Sequence, residues 1–216
     1  MKTFTDPELI NRLTWRYAVK QFDPAKKITA SNWATLEQAL VLSPSSYGLQ
    51  PYRFLVINDA ALRTRLAVAS YGQSQIMDCS HLVVFAIRKG MDLDHIDHFI
   101  ARVATVTKVT VESLAGYRKT IVGDLIDGPR HAWIDHWSAR QAYIALGNLL
   151  TSAAALGIDA CPMEGFNPAL YDDILDLPER HLSATVVCAL GYRSADDKHA
   201  RDAKVRFAIE DLIEHW

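Results

Sequence analysis

The sequence predicts a domain of the α+β or α/β class, with helices packed around a small sheet. Three observations lead there. Short apolar runs rich in β-branched and aromatic residues recur at 52–59, 81–89 and 183–192; segments with helical apolar spacing lie between them; and helical pattern dominates from about 92 to 156. Strands and helices that alternate, with one long helical insertion, bury their apolar faces by layering helices on a sheet. With 216 residues, 50% of them hydrophobic, the chain can cover a substantial core. No linker interrupts it, so one domain over 1–216 is expected.

The elements follow in order. "MKTFTDPELI" has no apolar signal core, and no segment reaches the length of a membrane span, so a soluble, cytoplasmic protein is expected. A helix-like segment precedes "RYAVKQFDP" (16–24). "SNWATLEQALVL" (31–42) sets Trp33, Leu36 and Leu40 on one helical face and stops at "SPSSYGLQP". "YRFLVIND" (52–59) reads as a strand, "AALRTRLAVAS" (60–70) as a helix, and "HLVVFAIRK" (81–89) as a fully buried strand. Region 91–130 is a helical excursion. "HAWIDHWSARQAYIALGNLLTSAAAL" (131–156) is apolar over much of its girth, which marks a central helix covered by its own domain or by a second subunit. A short strand at "ACPMEGF" (160–166), a helix at 167–176, a buried strand at "SATVVCALGY" (183–192) and a C-terminal arm over 193–216 complete the chain.

Composition narrows the function. Lys and Arg number 23 against 25 Asp and Glu, a net charge of −2, which argues against a nucleic-acid surface. Cys79, Cys161 and Cys188 are sparse and odd in number, as in a reducing compartment. There is no G-x-G-x-x-G after a strand, no phosphate loop and no G-x-S-x-G elbow, so any nicotinamide dinucleotide must bind without a Rossmann cradle. "MDLDHIDHF" (91–99), with Asp92, Asp94, His95, Asp97 and His98, invites a metal; an acidic first turn of a helix is the better reading, and no metal is expected. "HAWIDH" (131–136) is read the same way. In Cys79-Ser80-His81, neighbours on a strand point to alternate faces, so a structural junction is expected rather than a nucleophile–base pair.

Three stretches are more informative. Arg16 and Lys20 lie four apart in an otherwise apolar segment, and either cover apolar atoms with their stems or hold an anion. In "SPSSYGLQP" (43–51), Ser45 and Ser46 offer hydroxyls and Gly48 a close backbone approach, or the stretch is a plain turn. In "CPMEGF" (161–166), Pro162, Glu164 and Gly165 suit either a ligand loop or an ordinary strand-to-helix turn.

Taken together and in order, "RYAVKQFDP", "SPSSYGLQPYRFLVI", "YGQSQIMDCSHLVVFAIR", "GIDACPMEGF" and "AKVRF" resemble the FMN-dependent nitroreductase family, within it the bacterial oxygen-insensitive NAD(P)H nitroreductases and flavin reductases. The resemblance runs from about Trp15 to Phe207 and is weakest over 91–130. It implies an α+β fold with a central, mostly antiparallel sheet flanked by helices. Two subunits would interlock around long central helices, with one tightly bound FMN per subunit at the dimer interface.

The resemblance also implies roles. Arg16, with Lys204 and Arg206, would bind the FMN phosphate, where guanidinium contacts are charge-assisted. Lys20, beside Tyr17 and Ala18, would lie near the flavin pyrimidine and favour its reduced, anionic form. Pro44, Ser45, Ser46 and Gly48 would reach the cofactor of the partner subunit. Gln73 and Gln75 would hydrogen-bond the pyrimidine edge, and Pro162, Met163, Glu164 and Gly165 would line the ring. Tyr47 and Tyr71, with Gly165, would border the substrate channel, and 91–130 would cover the active site. Ala18 stands where many relatives have Ser, Gly48 for a common Asn, and Gln75 for a Lys in some; without that second cation the flavin should be harder to reduce. The implied activity is ping-pong, two-electron hydride transfer from NAD(P)H to nitroaromatic or quinone-type acceptors, with no side chain as the main acid or base. The alternatives are a flavin reductase, a specialised reductase such as a dehalogenase, or a ligand-binding dimer without turnover.

Overall fold

The computed structural model describes residues 5–216. Nine helices and four strands follow one another among them. Helix α1 is Asp6–Trp15 and α2 Ala30–Val41; β1 is Tyr52–Ile57, α3 Ala60–Ala69, α4 Gln75–Asp78 and β2 His81–Arg88. Then come α5 Leu93–Thr107, α6 Ala115–Leu125, α7 Ile134–Ala155, β3 Asp159–Met163, α8 Pro168–Ile174, β4 Leu182–Gly191 and α9 Ile209–Leu212. The helix read from residue 131 begins at Ile134, after a 3₁₀ turn at Pro129–Trp133, because Trp133 leaves the helical region at φ −134°, ψ 30°.

The sheet is antiparallel throughout, in the order β1-β2-β4-β3, with helices on both faces. Alternation along the strands makes two cores. Leu82, Val84, Ala86, Val187 and Ala189 face Leu66 of α3 and Tyr171 of α8; Val83, Phe85, Ile87, Val186, Cys188 and Leu190 face Leu36 and Leu40 of α2 and Ala142, Ala145 and Leu149 of α7. In β4 the parity switches midway: Leu182 and Ala184 join the first core, yet Val186 joins the second. The cause is a bulge, since Phe85 pairs with Val186 while Ala86 pairs with Ala184, leaving Thr185 extra. Each core needs its own covering helices, so the bulge decides which residues reach which layer.

Region 91–130 is indeed helical and carries a third core. Ile96 and Ile100 of α5, Ile121 and Leu125 of α6, and Leu49, Met91, Ile134 and Trp137 pack together. Asp92 opens α5 as its N-cap, accepting the His95 N–H at 2.9 Å. Helix α7 buries a stripe from Ile134 through Ala154 within this chain, but leaves Tyr143 and Ile144 39% and 45% exposed. Helix α1 buries no residue at all and presents Leu9, Ile10 and Leu13 to solvent. No described helix is long and apolar enough to cross a membrane.

Candidate active site

The segment after α1 runs along the edge of the sheet instead of forming a strand of its own. Ala18 bridges Ala160 in parallel, and Phe22 bridges Arg193. Two carboxylates hold it there. Asp159, at the start of β3 and 4% exposed, takes a bidentate ion pair from Arg193 (Nη2 to Oδ1 at 2.6 Å, Nε to Oδ2 at 3.1 Å) and the Arg193 backbone N–H at 2.8 Å. The Arg193 guanidinium is sandwiched between Trp15 and Tyr17, 4.4 and 4.5 Å from the ring centroids. Asp197, equally buried, accepts the Tyr17 hydroxyl (2.9 Å), the Lys20 N–H (2.9 Å) and the Gln21 N–H (3.2 Å) on one oxygen, and the His199 N–H on the other. Burial pushes the Asp197 carboxyl up, but the bonds from Lys20, Gln21 and Tyr17 outweigh it and hold the group below the usual carboxylate range. Burial, with the Asp197 bond next, raises the Tyr17 phenol.

These contacts fold the C-terminal arm back onto residues 15–20 and enclose a cleft of about 620 Å³. Arg16, Tyr17, Ala18, Lys20, Arg193, Lys204 and Arg206 are among the residues that line it, so six of the positions singled out in the sequence converge from opposite ends of the chain. Lys204 donates through its ammonium to the Arg16 carbonyl. Among the described residues, no carboxylate lies within ion-pair distance of Arg16, Lys20, Lys204 or Arg206. Burial and then Arg206 push the Arg16 guanidinium down; burial, then Arg16 and Arg206, do the same to Lys204. Three close cations without a counter-charge form a receptor for an anion.

The loop after β3 carries a second group. Tyr143 of α7 donates its hydroxyl to Glu164, and burial followed by that bond raises the phenol to about 12. Gln73 donates both amide hydrogens, to Ser70 O (3.1 Å) and Gly165 O (2.6 Å), so only its carbonyl oxygen remains for a ligand. A side chain at Gly165 would place its Cβ 3.0 Å from the Gln73 amide, so the glycine serves this close approach. Pro162 and Met163 lie in β3, and Gln75 is 6% exposed in α4.

The loop 44–48 belongs elsewhere within this chain. Gln141 of α7 accepts the Ser46 N–H (2.9 Å), and Ser45 Oγ accepts the Gln50 N–H (3.0 Å). Tyr47, at φ +58°, is held by its hydroxyl on Asp124 (2.8 Å) and by the Tyr117 hydroxyl on its carbonyl (2.9 Å). Gly48 sits at φ +76°, a conformation that Gly and Asn take most readily, which gives a backbone reason for either residue there. Neither this loop nor Tyr71, 73% exposed, lines the cationic cleft.

One expectation for neighbouring residues changes. Ser80 and His81 do touch, with Oγ 3.0 Å from Nδ1, although they alternate along the chain: the strand begins only at His81, so the pleat does not yet separate them. The contact remains structural, because Ser80 also accepts the Ile28 N–H (2.8 Å) and the His81 ring is stacked on Trp33 at 4.0 Å. Arg63 binds the carbonyls of Cys79 (2.8 Å) and Ser80 (3.0 Å) and tethers the junction. Among the described residues, no group of three His, Cys, Asp or Glu side chains is arranged to hold a metal ion. Asp159, Arg193 and Asp197 escaped sequence reading; the one available signal was that acidic residues flank the basic C-terminal arm.

The family model described as the nitroreductase family matches residues 13–192. A Staphylococcus haemolyticus protein, provisionally named an NAD(P)H nitroreductase, is 35% identical over 213 residues, covering 95% of this chain and 96% of its own. Among solved structures, a protein of Bacillus subtilis provisionally described as a nitroreductase superposes with a TM-score of 0.83 at 17% identity, over 98% of this chain and 100% of that one. Another, from Exiguobacterium sibiricum and described likewise in complex with FMN, gives a TM-score of 0.79 at 20% identity, over 100% and 99%. With this match along most of its length, the chain belongs to the nitroreductase family of oxidoreductases.

Proposed function

We propose that the protein is an FMN-dependent oxidoreductase that uses NAD(P)H to reduce nitroaromatic or quinone-type acceptors, working as a homodimer with one FMN per subunit. The observation that carries this reading is the unneutralised triad Arg16, Lys204 and Arg206 in one cleft. A phosphate monoester supplies the charge this triad lacks, and the cleft has the volume usual for a cofactor pocket. The residues present therefore fit FMN.

When bound, FMN supplies two-electron hydride chemistry. The chain's own residues bind and orient. Arg16, Lys204 and Arg206 take the phosphate, and Lys20 contributes a fixed positive charge that favours an electron-rich ring. Gln73 accepts through its carbonyl, Gln75 backs it, and Pro162, Met163, Glu164 and Gly165 border the ring, with Tyr143 steadying Glu164. Reductant and acceptor would take turns at one open face. That sharing removes the need for a dedicated dinucleotide fold. Pro44, Ser45, Ser46 and Gly48 would act across the dimer, with Tyr47 and Tyr71 near the substrate and 91–130 as the cover. Exposed apolar residues on α1, on α7 and on the arm (Val205, Phe207, Ile209) support such pairing, since one chain leaves them in water.

A visible spectrum of the purified protein, followed by anaerobic addition of NADH and of NADPH, tests the reading. Flavin absorbance that bleaches with either coenzyme and returns with a quinone is expected. Protein that stays colourless after FMN addition and gel filtration would end it.

A further inference from the structure

A second cationic cavity, of about 220 Å³, lies at the other end of the sheet, lined by Tyr52, Arg53, Arg88, His95, Arg180 and Leu182. Leu182 and Gly191 are the two ends of β4, ten residues long, so the cavity lies roughly 30 Å along the strand from the cleft at Arg193. The two cannot share one phosphate.

Its walls offer donors without acceptors to match. Tyr52 is 4% exposed with its ring in the second core, and the buried Arg88 Nε has no hydrogen-bond partner. Asp92 is the one carboxylate engaged, accepting the Arg88 Nη2 at 2.7 Å on one oxygen and the His95 N–H on the other. Arg53 uses one nitrogen on the Tyr52 carbonyl (3.1 Å); Arg180 forms no ion pair among the described residues. His95 donates from Nε2 to the Leu49 carbonyl (2.8 Å). Burial lowers the His95 imidazole, and Arg88 and Arg53 lower it further. Three arginines around one small space, answered by a single carboxylate, call for an anionic occupant.

We propose that this cavity is a second anion site, which takes a tetrahedral phosphate group through Arg53, Arg88 and Arg180. Oxygens of a dianion accept from every group left open, and guanidinium groups match their geometry. The volume holds a phosphate group and excludes a whole dinucleotide. The group comes either as free inorganic phosphate or as the monoester end of a nucleotide whose remainder lies outside. Through His95 and Leu49 the site adjoins the loop 44–50, so occupancy would also brace that loop.

Calorimetric titration of FMN-supplemented protein with inorganic phosphate, at ionic strength held constant with chloride, tests this. Arg53→Gln and Arg180→Gln alter exposed side chains and should each weaken phosphate at least tenfold. The Arg16→Ala/Arg206→Ala double variant should keep this phosphate site. Phosphate binding lost in that double variant but kept in Arg53→Gln and Arg180→Gln would overturn the second site and leave the cofactor reading intact. Adenosine 2′-monophosphate, with adenosine as control, separates the sources: tighter binding than phosphate, sensitive to Arg180→Gln, assigns a nucleotide, and no gain over phosphate assigns the free ion. No response to either probe overturns the proposal.

Discussion

One wall of the cleft holds arginines in two opposite states. Arg193 is fully answered: a buried carboxylate grips it in two places and two aromatic rings enclose it. Arg16 and Arg206, a few residues away across the same space, have no carboxylate and press on each other and on Lys204. The first kind stabilises the fold, because its charge is cancelled inside the protein. The second kind is held in place at a cost, and only a ligand cancels it. Residue type does not distinguish the two, but the presence of a partner does.

Substitutions can break this contrast, beginning with the largest effect. Arg193→Ala leaves Asp159 buried without its pair and should lower stability by about 3–5 kcal/mol, read by urea unfolding. A loss under about 1 kcal/mol would make Arg193 a ligand residue like its neighbours.

Asp197→Asn comes next. It weakens three hydrogen bonds that tie the arm to residues 17–21, and a fourth within the arm, and should cost about 1–3 kcal/mol at pH 7. The folded carboxyl sits below its unfolded value, so its stabilisation is complete above about pH 4 and disappears as pH falls through the folded value. The gap in Tm between parent and variant should therefore narrow below about pH 4. A gap independent of pH would assign the effect to shape rather than charge.

The unpartnered cations give the smallest changes in stability and sharpen the contrast. Arg206→Ala should weaken FMN roughly 10–100-fold, the worth of a charge-assisted contact, while urea stability without FMN moves by less than about 0.5 kcal/mol. Lys20→Ala should slow flavin reduction by roughly fivefold, about 1 kcal/mol of barrier, with FMN retention nearly unchanged. Stopped-flow reduction beside FMN titration separates the two; equal effects of both changes would merge their roles.

Much of the fold was legible because it is written locally. The strands at 52–57, 81–88 and 182–191 show as apolar runs rich in β-branched and aromatic residues, and α7 shows as a helix apolar over much of its girth, since period and composition act over a few residues. The bulge at Thr185 was not, because it depends on pairing with β2 across the sheet. The same divide runs through the site. Arg16, Lys20, Lys204 and Arg206 stood out through the order of motifs along the chain. Asp197, whose partners lie 176 to 180 residues away, and Arg193, whose carboxylate lies 34 away, carry no local mark. The cavity around Arg53 and Arg180 is hidden for the same reason, being assembled from three strands, a helix and a turn.

Lys204 reaches the Arg16 carbonyl across 188 residues of chain. A polypeptide emerging from the ribosome therefore displays one wall of the cleft long before the other exists. If this cleft holds the proposed cofactor, capture can begin only after Lys204 has been translated, which makes loading late relative to the folding of residues 15–20.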